Sequence, residues 1–211
     1  MVIYPVESGP FATIGYLIYC TETQNGVVID VPLDSTSFFL EYIDKNKINL
    51  NSIFLTHTHW DHTADVAKLI KETQAKLYVN KLDEYRLIDP MKHTLMPLPF
   101  ELESVNPDFY FQDGQKISIG NIKFEVRFTP GHTEGGTTFV IHNEKKVFAG
   151  DTLFYGSIGR VDLPGGSYDT LINSIREKLF TLDDDYEVYS GHGPKTTIGF
   201  EKFTNPFFQD N

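Results

Sequence analysis

Cys20 is the only cysteine in the chain, so no internal disulfide can staple the fold and no thiolate cluster can build a closed structural zinc site. It lies at the end of an apolar run (Ile14, Leu17, Ile18), which predicts a buried small residue rather than a reactive thiol. No apolar run is long enough to span a bilayer, and Met1-Val2-Ile3-Tyr4-Pro5 has no basic stretch leading into a signal-type segment. A cytoplasmic protein with no membrane partner is expected. Positive charge is scarce: 18 Lys and Arg stand against 29 Asp and Glu, a formal net charge of −11 that disfavours nucleic acid as a partner. The acidic residues are dispersed, and the one run, Asp183-Asp184-Asp185, reads as a solvated turn. Internal repeats and low-complexity linkers are missing too, and 211 residues suffice for one core, so residues 1–211 are expected to form a single domain.

Alternating patterns predict a hairpin from Phe11–Tyr19 and Gly26–Asp30 about the polar turn Thr23-Gln24-Asn25. A helix capped by Asp34 or Ser35 should then bury Phe38, Phe39, Tyr42 and Ile43. A short strand over Asn51–Leu55, a helix from about Thr63 to Thr73 and a strand over Lys76–Val79 continue a strand–helix alternation. Residues 83–108 carry Pro90, Pro97, Pro99 and Pro107, which predicts an irregular loop or lid. His93 in that loop and His142 at a strand end read as idle histidines. The second half reads as strands at Lys116–Ile119, Ile122–Phe128, Thr137–Ile141 and Val147–Ala149, a helix over Ser167–Leu179, a strand at Glu187–Tyr189 and a short helix near Thr197.

The densest chemistry is Thr56-His57-Thr58-His59-Trp60-Asp61-His62, four potential metal ligands in six residues after the apolar strand. In an extended segment residues two apart point the same way, which aims His57 and His59 at one ion; Asp61 and His62 can face a neighbouring one. Three more segments follow an apolar strand with a small residue and then a ligand: Gly131-His132, Gly150-Asp151 and Gly191-His192. If those strands run in compatible directions, five imidazoles and two carboxylates meet at one sheet edge. That donor set suits zinc, iron or manganese, and seven ligands fit two divalent ions sharing a carboxylate, with a water between them activated for attack.

With His57-x-His59-x-Asp61-His62, then His132, Asp151 and His192 in order, the sequence resembles the metallo-β-lactamase superfamily over most of its length. The resemblance implies an α+β fold, a four-layer αββα sandwich of two mixed sheets face to face, with the metal site at one edge. It assigns His57, His59 and His132 to one metal, Asp61, His62 and His192 to the other, and Asp151 to the bridge, with Asp61 also orienting the attacking hydroxide. Gly150-Asp151-Thr152-Leu153-Phe154, Gly156-Ser157-Ile158-Gly159-Arg160 and Gly191-His192-Gly193-Pro194 look like the compact glyoxalase II-like (hydroxyacylglutathione hydrolase-like) branch.

That branch implies hydrolysis of a small acyl thioester, including glutathione-linked ones, by metal-bound hydroxide. Arg160 would then meet a substrate carboxylate, the alternative being a salt bridge to Asp162, while Tyr155 is expected to pack, the alternatives being that it lines the pocket or donates to an oxyanion. Asp151 stands where many β-lactamases of this fold carry cysteine, which turns the expectation away from antibiotics. Only 19 residues follow His192, where full-length glyoxalase II has a helical glutathione-binding domain, and Thr63-Ala64-Asp65 replaces a glycine-rich pair. Three alternatives stay open. They are a persulfide dioxygenase with one iron on His57, His132 and Asp151, a lactonase or other ester hydrolase, and a non-catalytic binding module.

Overall fold

A strand that the sequence pattern does not reveal opens the first sheet: β1 (Val2–Ser8) pairs antiparallel with β2 (Thr13–Tyr19), from Val2 opposite Tyr19 to Ser8 opposite Thr13. It is an edge strand, which is where Pro5, lacking an N–H, is tolerated. The computed structural model describes residues 1–209, in two units: Met1–Phe111 with Ser118–Ile122, and Gln112–Ile117 with the chain from Lys123 on.

In the first unit β3 (Asn25–Ile29) pairs antiparallel with β2, completing the expected hairpin, and Gln24 turns the chain at φ 58°. β4 (Asn49–Phe54), β5 (Lys76–Val79) and β6 (Phe109–Tyr110) then add in parallel, so the sheet runs β1-β2-β3-β4-β5-β6. Parallel pairing forces crossovers, and these carry the helices α1 (Thr36–Asn46), α2 (Trp60–Thr63) and α3 (Val66–Thr73).

Phe39 of α1, with Val66 and Leu69 of α3, packs on Leu17, Val28, Ile53 and Leu77 of the sheet, each side chain contributing about 1.5–3 kcal/mol on burial. The apolar stripe of α1 is narrower than its sequence suggests, because Phe38, about 100° round the helix from Phe39, is half exposed. The single helix expected from Thr63 to Thr73 is instead broken between α2 and α3, where buried Asp65 accepts from the Thr36 backbone N–H and from Lys68. The expected loop over 83–108 begins with two short helices, α4 (Glu84–Ile88) and α5 (Pro90–His93). Pro90 sits in a first turn, where its missing N–H costs nothing, so proline here starts a helix rather than preventing one. Cys20 is buried, as expected.

The second sheet, ordered β14-β13-β10-β9-β8-β7, comprises β7 (Lys116–Ile119), β8 (Ile122–Phe128), β9 (Thr137–Ile141), β10 (Lys146–Gly150), β13 (Glu187–Ser190) and β14 (Thr196–Thr197). β11 (Leu153–Phe154) and β12 (Ser157–Ile158) form a separate small hairpin. α6 (Tyr168–Ser174), capped by the Ser167 hydroxyl, runs on into a wider turn over Ile175–Leu179. α7 (Ile198–Thr204) is capped by Thr197. Leu171, Ile175 and Leu179 pack on Val140, Val147 and Val188, and Phe208 folds back onto the same core against Phe180 at 4.7 Å. No helix among the described residues is long and apolar enough to cross a membrane.

Strand direction is what places the chemistry. β3, β4 and β5 are parallel, so the residues just after Ile29, Phe54 and Val79 emerge at one end of the first sheet. In the second, β8 is antiparallel to β9, β9 to β10, and β10 parallel to β13. β8, β10 and β13 therefore point the same way. The carboxyl ends of like-directed strands are where open α/β sheets place ligands.

Candidate metal centre

The loop after β4 carries His57, His59, Asp61 and His62. Asp30, the residue after β3, is buried and organises it: its carboxylate accepts from the Thr56 N–H (2.8 Å), from the Thr56 hydroxyl (2.7 Å) and from His62 Nδ1 (2.8 Å). Because the Thr56 hydroxyl gives its proton to Asp30, its lone pair accepts from His57 Nδ1 at 3.1 Å. Both rings are thus fixed as Nδ1–H tautomers, which leaves the lone pair on Nε2. Ligand atoms of Asp30, His57 and His62 lie within 4.8 Å of one another, but this network already accounts for that proximity and makes Asp30 an orienting group rather than a ligand.

Thr58 is anchored from β5's end. Its N–H donates to Asp83 Oδ2 (3.2 Å) and its hydroxyl to the Asp83 carbonyl (2.9 Å), while Arg86 pairs with Asp83 Oδ1 at 3.1 Å, both side chains buried. The Thr13 hydroxyl donates to Asp61 Oδ2 at 2.8 Å, and Asp61 Oδ2 stands 3.5 Å from His62 Nε2. The His57 and His59 rings meet at 4.9 Å.

The second unit gathers its own three candidates. His132, Asp151 and His192 follow β8, β10 and β13, and Asp151 Oδ2 lies 3.6 Å from His132 Nε2 and 3.4 Å from His192 Nε2. Two ligands each about 2.1 Å from one tetrahedral ion stand about 3.4 Å apart, and these separations match that spacing. His132 Nδ1 donates to the Arg160 carbonyl at 2.7 Å, which fixes a third ring in the same tautomer. Gly131, at φ 130°, makes the turn into His132, and a Cβ there would lie 2.3 Å from the Leu171 nitrogen. Gly159 is tighter: its Cβ would fall 1.8 Å from the Asp151 carbonyl oxygen and 3.3 Å from His132 Cβ.

Arg160 is bound bidentately to Asp162 at 2.9 and 2.8 Å, the salt bridge that is the alternative to a substrate contact. That pair raises the guanidinium and lowers the Asp162 carboxyl to about 2. Asp162 favours folding above the ordinary carboxylate range, and the contribution is lost as pH falls through about 2. Tyr155 stacks on Phe200 at 4.8 Å and 14°. His142 pairs with Glu125 and Tyr186, and His93 packs on Tyr85.

Sequence reasoning missed Asp30, Thr13, Asp83 and the backbone role of Arg160. Asp30 had a readable signal, a carboxylate directly after an apolar strand, the same pattern that singled out Asp151. Thr13 and Asp83 had none, since each acts across 25 or more residues of chain.

Histidine and carboxylate donors at the ends of like-directed strands in two mixed sheets define the class, a metallo-hydrolase with the α+β, αββα fold. The family model of the metallo-beta-lactamase superfamily matches residues 10–192, and the chain belongs to that superfamily, whose members bind divalent metals. Hydroxyacylglutathione hydrolase GloC of Haemophilus influenzae is 37% identical over 88% of this chain and 88% of that protein. The crystal structure of BLEG-1 B3 metallo-beta-lactamase matches at a TM-score of 0.91 and 31% identity, covering 99% of this chain and 100% of the other. TTHA1623, solved in a di-iron-bound form, matches at 0.82 and 31%, over 97% and 99%.

Proposed function

We propose that residues 1–211 act as a single-domain, glyoxalase II-like hydrolase of a thioester or related small acyl ester. His57, His59 and His132 would hold one divalent ion, Asp61, His62 and His192 a second, and Asp151 would bridge them. The observation that carries this reading is the set of 3.4–3.6 Å separations between Nε2 and carboxylate oxygen at His62, His132 and His192, two of which, His62 and His132, have Nδ1 committed to other partners. Neutral imidazole and carboxylate suit zinc, with iron and manganese as alternatives.

When bound, the ions supply a water acidic enough to attack at neutral pH and positive charge for the acyl oxygen. Asp61, held by Thr13, orients that water on one side of the substrate carbonyl. The leaving thiolate needs little proton donation, so the chain requires no general acid opposite Asp61. The likeness to GloC supports a thioester, and a glutathione-linked one.

Arg160 is the group for a glutathione carboxylate, in competition with Asp162. Releasing an exposed pair shifts affinity by about two- to fivefold. Asp162→Asn is therefore expected to lower KM for a glutathione thioester by that factor and leave KM for an uncharged acetyl thioester as it was. A KM left unchanged by Asp162→Asn on both substrates would show that Arg160 takes no carboxylate.

The likeness to BLEG-1 favours a second reading, β-lactam hydrolysis. One assay panel separates them: lactoylglutathione, a simple lactone and nitrocefin, each with the metal-replete protein. Thioester turnover at least a hundredfold above the other two supports the proposal; nitrocefin turnover exceeding thioester turnover overturns it.

A further inference from the structure

Between Asp151 and the Arg160 carbonyl that orients His132, the chain makes the β11–β12 hairpin, and α7 grips that hairpin from outside. α7 follows the last of the candidate ligands, His192, and supplies none itself. Its Glu201 is buried, and the carboxylate accepts from the Gly156 N–H (3.0 and 3.2 Å to its two oxygens), from the Thr196 hydroxyl (2.5 Å) and from the Asn205 side-chain amide (2.7 Å). Asn205, buried beside it, donates from the same nitrogen to the Ser157 carbonyl at 3.0 Å. Tyr155 adds its stack on Phe200. Residues 155–157, the tip of the hairpin, are thus each bound to α7 or to the residue that closes it.

Packing does not require this arrangement. Ile198 already joins α7 to the core that holds Leu153 and Ile158, and a buried carboxylate carries a desolvation cost that an apolar residue would not. What the carboxylate adds is direction, because its hydrogen bonds fix where the tip stands. The outgoing leg of the hairpin has anchors on the sheet: Ser190 donates to the Leu153 carbonyl at 2.6 Å, and the Thr152 and Thr129 hydroxyls bond at 3.1 Å. The returning leg takes its polar anchors at Gly156 and Ser157, both from α7 and its closing residue, and Gly159 reaches back to the Thr152 carbonyl at only 3.4 Å. That leg ends at Arg160, whose carbonyl fixes the His132 ring and whose guanidinium is tied to exposed Asp162.

We propose, resting on the metal reading above, that Glu201 and Asn205 are positioning residues of the metal centre, which act through the β11–β12 hairpin to hold the Arg160 carbonyl against His132 Nδ1. His132 is assigned to metal in the two-ion hydrolase and in the one-iron alternative alike, so the role is the same for either count.

Zinc affinity of the full chain, read by competition with a chromophoric chelator and accompanied by the Tm of each variant, tests this. Glu201→Ala and Asn205→Ala are expected to weaken one zinc equivalent by about tenfold to a hundredfold, the range for groups that orient a ligating histidine. With cobalt(II) in place of zinc, the visible absorption of both variants shifts, because a turned imidazole changes the geometry at the ion. Where Glu201→Ala does not fold, Asn205→Ala carries the test. Two further variants separate position from stability and from charge. Leu179→Ala opens a cavity in the same core, lowers Tm comparably and keeps the wild-type affinity and cobalt spectrum. Glu201→Gln stays within about twofold of wild type, its amide oxygen accepting from Gly156 and Asn205 and its nitrogen donating to the Thr196 hydroxyl oxygen. Unchanged affinity in Glu201→Ala and Asn205→Ala, an equal loss in Leu179→Ala, or a Glu201→Gln protein as weak as Glu201→Ala overturns the positioning role. A wild-type protein that takes up no metal overturns the metal reading itself, and the positioning role with it.

Discussion

Gly159→Ala is expected to lose metal affinity and activity together, although position 159 carries no side chain and binds nothing. The added Cβ would lie 1.8 Å from the Asp151 carbonyl oxygen, a backbone atom, and 3.3 Å from His132 Cβ. No rotamer change relieves that contact, so the backbone at Asp151 or Gly159 must move. Overpacking of this kind costs about 1–3 kcal/mol, which lowers Tm by about 3–10 °C in a domain of this size. The larger effect is on chemistry: a displacement of about 1 Å at a ligand costs about a hundredfold in rate. Thermal melting with thioester turnover checks both, and a Gly159→Ala protein with wild-type kcat/KM would mean that Asp151 and His132 do not act from where they stand.

Asp30→Ala strikes the first unit as hard. Three donors converge on that buried carboxylate, two from Thr56 and one from His62. Hydrogen bonds to a buried charged acceptor are worth about 1.5–3 kcal/mol each and are not additive, so a stability loss of about 3–5 kcal/mol is expected. Groups that orient a ligating histidine change metal affinity by about 10–100-fold, and two histidines depend on Asp30, one directly and one through Thr56. Asp30→Asn is expected to rescue little, because its amide nitrogen would confront a donor. A metal-binding titration of Asp30→Ala matching wild type would return Asp30 to a purely structural role.

These two residues mark how far the sequence reaches. Ligand-type residues after apolar strands are legible because burial demands apolar strands, and a polar residue at their ends stands out; Asp151 and His192 were found that way, and Asp30 fits the same pattern. Hairpin, alternation and most strands were legible for the same reason. β1 was not, because an edge strand is only partly buried and its alternation is weak. The proline-rich stretch after Asp83 was legible in part: residues 94–108 are irregular as expected, but the two short helices before them were not, because proline forbids helix interiors and favours first turns. Arg160 marks the opposite limit: the pairing of its guanidinium with Asp162 is readable from the sequence, but its carbonyl orienting His132 is not.

The central claim is that two ions on these seven side chains perform thioester hydrolysis. Metal per chain, measured by elemental analysis on protein purified without chelator or added metal and kept from air, then followed with activity as stripped protein is reloaded, tests it most directly. The account expects two ions per chain and thioester turnover that climbs until the second equivalent is bound. A single iron per chain, with no thioester turnover and with oxygen uptake on glutathione persulfide, would contradict it.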